Sequence, residues 1–225
     1  MSKNQNQNNA GQANKPSQGS SFQDNQKSIT FIVGGIFVLI ILYFGYQKLY
    51  LQPRAEKAAN EIFKAEEYAA IDSLQNRAIE GDGSFAGFKE IANEYSNTKS
   101  ANIANAYLGG LYLRQGKYNE AVEALENYSA TGSPILDPLV TGLKGDVYSE
   151  LKDYKKAAGF YKEAADKSAN SYTTPLFLKK LGLVYEAQNE FKQAEETYKK
   201  IKTDFPESQE AAMIDGLIGR VQAHL

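Results

Sequence analysis

Residues 181–206, LGLVYEAQNEFKQAEETYKKIKTDFP, decide the fold. The stretch opens on Leu181-Gly182 with Tyr185 three residues after the glycine. It is interrupted at Asn189-Glu190-Phe191, resumes with Ala194 and then Tyr198 four residues on, and closes at Pro206. The same marks recur upstream. Leu108-Gly109-Gly110-Leu111-Tyr112 and Lys144-Gly145-Asp146-Val147-Tyr148 repeat its start. Gly116-Lys117-Tyr118 with Ala121 and Leu125, and Lys152-Asp153-Tyr154 with Ala157 and Tyr161, repeat its second half. Gly109 to Gly145 is 36 residues and Gly145 to Gly182 is 37, a period that marks one supersecondary unit stacked on its neighbours. Each unit reads as two helices joined by a tight turn. The glycine lets the pair approach closely; the tyrosine three residues later is expected to fill the space beside it, received by the small alanine of the second helix. One hairpin cannot bury its own apolar face. The hairpins therefore stack into an all-α solenoid with a concave inner surface, where function is to be sought.

Outward from the repeats, the chain divides into four parts. Residues 1–27, rich in Asn, Gln, Ser and Gly with one aromatic, bury too little to offset the entropy of ordering and read as a disordered polar tail. Residues 28–47, SITFIVGGIFVLIILYFGYQ, hold no charge, lie between Lys27 and Lys48, and as a helix span about 30 Å, one bilayer crossing. Tyr43, Phe44, Tyr46 and Tyr50 crowd one end, as headgroup-level rings do. A cleaved leader would need a shorter core and small residues after it; Gln47-Lys48-Leu49-Tyr50-Leu51 follows instead, so a retained anchor is expected. Residues 48–80 form a neck and first solenoid helix, with helix-favouring sequence over 54–79. Residues 81–225 hold the repeats, at about 104–134, 139–171 and 175–206, and a capping helix at 208–225 built on Ala211, Ile214, Leu217, Ile218 and Val221. Between neck and repeats, Gly81-Asp82-Gly83-Ser84 makes a turn with Ser84 as helix N-cap, since its oxygens do not continue at calcium-loop spacing. A degenerate hairpin over 55–97 ends in a helix starting at Phe85, whose Phe88, Ile91 and Tyr95 are spaced like Tyr198, Ile201 and Phe205.

Composition excludes several functions. Net charge is −2, and because Lys3, Lys15, Asp24 and Lys27 give the tail +2, the remainder carries −4, the wrong sign for a nucleic-acid partner. There is no cysteine, so no disulfide or thiolate metal site exists. The single histidine, His224, sits beside the C-terminus, where a solvated imidazole is expected. No phosphate-cradling loop, zinc spacing or nucleophile elbow occurs, and carboxylate pairs such as Glu66-Glu67 and Glu195-Glu196 lie in charged helices. Catalytic residues, a cofactor, a metal and a small-molecule substrate are therefore not expected.

The Leu-Gly-x-x-Tyr, alanine, aromatic, proline pattern of these units resembles the tetratricopeptide repeat, whose usual period is about 34 residues. The first two copies depart in having Leu125 for the aromatic, Lys144 for leucine, and longer loops. The resemblance implies a protein-interaction groove on the first helix of each hairpin. Carried over position by position, that groove comprises Ile103, Tyr107, Gly110, Leu113 and Arg114; Leu139, Leu143, Asp146 and Ser149; and Leu176, Lys179, Lys180, Leu183 and Glu186. Lys179 and Lys180 suit a carboxylate clamp, but Gly110, Asp146 and Leu183 stand where its asparagines belong, so none is expected. The layout of tail, anchor, proline-containing neck, hairpins and terminal helix resembles the YfgM-type family of bacterial inner-membrane proteins. That resemblance implies a cytoplasmic N-terminus, a periplasmic repeat domain, and an accessory role in passing exported polypeptides from the Sec translocon to periplasmic chaperones. The flanking charges, Lys15 and Lys27 before the anchor against Lys48, Arg54, Lys57 and Lys64 after it, favour the opposite orientation, although long domains translocate largely regardless of them. The alternative role is a structural subunit bridging a stable membrane complex.

Overall fold

The computed structural model describes residues 20–167 and 170–225, in two units, Met1–Tyr50 and Leu51–Leu225. The tail expected over 1–27 lies, for residues 1–19, outside the described residues. In the first unit helix α1 runs Ser20–Tyr46 and so takes in residues 20–27, which the sequence reading had left in the tail. A nucleated helix propagates through polar residues at little cost. Residues 28–44 are all exposed, Phe31 at 82% and Leu39 at 67%, and the stretch Ser28–Ala69 contains a helical window long and apolar enough to cross a membrane. A π-helical turn, Gln47–Leu51, follows α1, with the rings of Tyr46 and Tyr50 stacked at 5.3 Å.

The second unit is all helical among the described residues: α2 (Gln52–Ala69), α3 (Gln75–Glu80), α4 (Phe88–Glu94), α5 (Lys99–Arg114), α6 (Tyr118–Glu126), α7 (Leu136–Glu150), α8 (Tyr154–Lys167), α9 (Thr173–Ala187), α10 (Phe191–Asp204) and α11 (Ala211–Gln222). The pairs α5/α6, α7/α8 and α9/α10 are the three hairpins; α2 and α4 pack on α5, and α11 closes over α10. The hairpins are not stacked alike, because α8 meets α9 far more extensively than α6 meets α7.

What holds a hairpin together is an interlock between a missing side chain and a large one. A Cβ placed on Gly109, Gly145 or Gly182 would collide with Leu125, Tyr161 or Tyr198 respectively, each from the second helix of the same hairpin. This corrects the expectation that Tyr112, Tyr148 or Tyr185 fills that space. The residue four positions after the alanine does so, and Tyr148 instead stacks on Phe160 at 5.4 Å. Ala121, Ala157 and Ala194 are fully buried, as are Leu125 and Tyr198. The same device joins hairpins: a Cβ on Gly142 would strike the Phe177 ring. The first helices end in matching left-handed residues, Gly116 (φ 70), Lys152 (φ 59) and Asn189 (φ 60), a conformation asparagine tolerates and lysine adopts only under strain.

Ahead of the repeats the structure departs from the sequence reading at two points. The helix expected over 54–79 breaks after Ala69, where Ile71 is extended (φ −112, ψ 112) and the turn Asp72–Leu74 intervenes. The Gln75 side-chain amide donates to Asp72 at 2.8 Å across that turn, so the polar pair competes with helix continuation. Ser84 is not an N-cap. Its N–H and hydroxyl both donate to Asp82 Oδ1, at 3.0 and 2.6 Å, and the helix starts three residues later than expected, at Phe88, after Gly87. Gly81 (φ 80) and Gly87 are required by the backbone itself, for a Cβ on Gly87 would collide with the main chain of Ile79 to Gly81. Phe88, Ile91 and Tyr95 then enter the core, 0%, 0% and 4% exposed.

The interlock sets a stability test. Gly182→Ala should destabilise by about 1–3 kcal/mol, because a rigid buried ring must move, overriding the roughly 1 kcal/mol that alanine gains in helix propensity. Gly219→Ala in α11, where a Cβ would meet nothing within 4 Å, should instead stabilise. Thermal melting of the detergent-solubilised chain followed by circular dichroism reads both signs; equal shifts would refute the interlock.

Candidate functional site

The first helices α5 and α7 lie side by side, and a valley of about 680 Å³ runs between them. From α5 it is lined by Ile103, Ala106, Tyr107, Gly110, Leu113 and Arg114, from α7 by Leu136, Leu139, Val140 and Leu143, with Glu66 of α2 at its edge. Gly110 keeps the floor low: a Cβ there would only come into ordinary contact, 3.9 Å, with Leu143. Tyr107 is 37% exposed, yet its ring is fixed by stacking on the buried Phe88 at 4.7 Å and 6°. Leu139 is similarly half-open at 38%. Burial pushes the Glu66 carboxyl above its usual range, and burial followed by the nearby Glu66 charge pushes the Tyr107 hydroxyl up.

The start of α7 is held by a buried carboxylate. Asp137 accepts hydrogen bonds from the Tyr128 hydroxyl (2.6 Å), the Thr131 N–H (2.9 Å) and hydroxyl (3.0 Å), and the Gly132 N–H (2.8 Å). Burial alone would raise its pKa; these donors outweigh it and hold it at about 2, while burial and the same bond push Tyr128 up to about 12. The loop after α6 is pinned to α7 in this way, and the pinning sets where Leu136, Leu139, Val140 and Leu143 stand.

Of the residues expected in the groove, Ile103, Tyr107, Gly110, Leu113, Arg114, Leu139 and Leu143 line this one valley. The others do not. Asp146 and Ser149 line an adjoining polar hollow with Lys180 and Tyr161. There Lys180 Nζ pairs with Asp146 at 2.6 Å, and the Tyr161 hydroxyl donates to the same carboxylate at 2.7 Å. Lys179 pairs with Glu210 at 3.6 Å, so both lysines weighed for a clamp are engaged. Glu186 binds Arg220 at 2.7 Å and accepts from the Tyr198 hydroxyl at 2.5 Å; burial opposes ionisation, but Arg220 and Tyr198 hold its carboxyl below the usual range. Leu176 packs partly buried against the C-terminal core, and Leu183 is 42% exposed outside the valley. The sequence reading missed Glu66, Ala106, Leu136 and Val140. Ala106 follows Ile103 by three residues and Val140 precedes Leu143 by three, a helical spacing that could have found both, but Glu66 carried no such signal because α2 has no glycine to set its register.

Among the described residues no cluster of three or more His, Asp or Glu side chains is placed to hold a metal. His224, expected to be free in solvent, is exposed but stacks on Phe191 at 4.5 Å.

Stacked hairpins with an open valley along their first helices define a helical-repeat interaction protein, and the sequence agrees. The family model described as "Tetratricopeptide repeat-like domain" matches residues 63–184, more than half of the chain, and "Tetratricopeptide repeat" matches 180–208. The chain belongs to the tetratricopeptide repeat-like family. Such repeats are interaction modules, typically non-enzymatic. No curated protein matches the sequence. Among solved structures it is similar to one titled "Crystal structure of BtubC (BKLC) from P. vanneervenii", 17% identical over 78% of this chain and 67% of that one, with a TM-score of 0.44.

The pinned loop sets an acid limit. The depressed pKa of Asp137 means the carboxylate contributes stability that is fully present above its ordinary unfolded value near 4 and is lost as pH falls through about 2. Asp137→Asn should cost about 1–3 kcal/mol at neutral pH and remove that part of the acid sensitivity. Urea unfolding at pH 7, 4 and 2.5 checks this; a parallel loss with pH in both proteins would contradict it.

Proposed function

We propose that this chain is a membrane-anchored, non-enzymatic module of the bacterial inner membrane, with its N-terminus cytoplasmic and its repeats in the periplasm. In this reading α1 is the anchor and the valley between α5 and α7 takes exported polypeptide, passing it from the Sec translocon to periplasmic chaperones as the YfgM-type layout implies. The observation that carries the reading is the valley: about 680 Å³, walled mainly by Ile103, Leu113, Leu136, Leu139, Val140 and Leu143, open to solvent, with the Tyr107 ring held ready on its floor. An exposed apolar concavity of this kind is an interaction site rather than a packing accident. Tethering raises the local concentration of the site at the membrane, so weak contacts with a passing chain suffice.

A photo-crosslinking residue at Leu139 in living cells should trap translocon subunits or chains in export, and Gly110→Leu, which fills the valley without touching the hairpin interlock, should reduce trapping at least about tenfold while leaving folding intact. Trapping of soluble cytoplasmic proteins alone would overturn the assignment. Protease added to intact cells should leave the repeat unit whole, and added to spheroplasts should digest it; protection in both would place the repeats in the cytoplasm.

A further inference from the structure

The valley is apolar apart from two charged side chains in its lining, Glu66 and Arg114, and neither is matched among the described residues. Glu66 has no cationic partner among the described residues: on its own helix Lys64 pairs with Glu67 at 2.8 Å and Lys57 with Glu61 at 3.6 Å. Arg114 is exposed and has no carboxylate partner among them either; of the acids across the adjoining hollow, Asp146 is held by Lys180 and Glu150 faces the Tyr118 hydroxyl at 3.4 Å. Both side chains line the same valley, so a single segment lying in it meets both charges.

We propose that the valley selects an extended apolar segment bearing one basic and one acidic side chain on the same face, the base opposite Glu66 and the acid opposite Arg114. This deepens the polypeptide-binding reading and rests on it. Apolar contact with Ile103, Tyr107, Leu139 and Leu143 supplies adhesion, which is indifferent to sequence; the two charges supply register, since a segment shifted along the valley loses both matches. Segments carrying like charges at the two positions set one of them against a like charge and are disfavoured. The selected partner is thus an amphoteric stretch of unfolded chain.

The test uses the full-length chain in nanodiscs and four fluorescein-labelled peptides with the same leucine-valine-alanine core. Their two variable positions, two residues apart and in a parallel set four so that both side chains leave one face of an extended chain, carry lysine and glutamate, two glutamines, two lysines, or two glutamates. Anisotropy should show the lysine–glutamate peptide binding about fivefold tighter than the glutamine peptide, as two partly exposed ion pairs allow, with the preference shrinking as salt rises. Glu66→Gln and Arg114→Gln should each lower the ratio of lysine–glutamate to glutamine peptide affinity, and Gly110→Leu should weaken all four. Equal affinity for the lysine–glutamate and glutamine peptides, with Gly110→Leu still weakening both, would overturn the charge selection and leave the valley as a polypeptide site. Binding that is insensitive to Gly110→Leu, or no binding by any of the four, would overturn both.

Discussion

The fold depends on three places where a helix has no side chain. Because Gly109, Gly145 and Gly182 offer bare backbone, the second helix of each hairpin can press Leu125, Tyr161 or Tyr198 against the axis of the first. Everything else in the unit is adjusted to that approach: the fully buried alanines one turn before the large residue, the left-handed residue that ends each first helix, and the outward turn of the first-helix face that becomes the valley. Close packing makes this a strict requirement, since a methyl group at the glycine has nowhere to go without moving Leu125 or a tyrosine ring.

Two of the three hairpins add a polar clasp to the buried tyrosine, with the acid one residue after the glycine in one (Asp146) and four residues after it in the other (Glu186). The Tyr161 hydroxyl meets Asp146, and Lys180 of the next hairpin meets the same carboxylate; the Tyr198 hydroxyl meets Glu186, and Arg220 of the closing helix meets that. Each clasp uses an acid from the first helix, a phenol from the second and a cation from the following element. It solves a local problem, because a tyrosine ring driven into the core carries a hydroxyl that needs a partner, and a carboxylate at the rim supplies one. The first hairpin has neither half: Leu125 stands for the tyrosine and Gly110 for Asp146, which leaves its side of α5 apolar and open.

How much of this could be read beforehand follows from the kind of interaction involved. The repeats were legible because small and large residues at a fixed period have a single packing explanation, and the valley was partly legible because Ile103 and Tyr107 on α5, like Leu139 and Leu143 on α7, stand four residues apart on one face of their helix. The partner of the glycines was misread, since Tyr185 and Tyr198 are both suitable rings and spacing alone does not say which helix faces which. Asp146, Lys179 and Lys180 were taken for groove residues for a similar reason: the pattern places them on the first helix but does not show that a residue 34 positions away, as Lys180 is from Asp146, neutralises one of them. The break at Ile71 and the role of Asp82 lay in side-chain bonds to nearby groups, which compete with helix over only two or three residues and leave little trace in periodicity.

The missing clasp has a mechanical meaning. Between α7 and α9 the array is cross-braced by the Asp146–Lys180 ion pair and the Phe177 ring seated on Gly142, and α8 and α9 share a broad contact. Between the first two hairpins α6 meets α7 far less extensively, and the joint relies instead on the loop bonds to Asp137. The joint that contains the valley is therefore held by polar loop bonds rather than by a broad helix–helix face, so that a change in the curvature of the array would open or close its two walls like jaws.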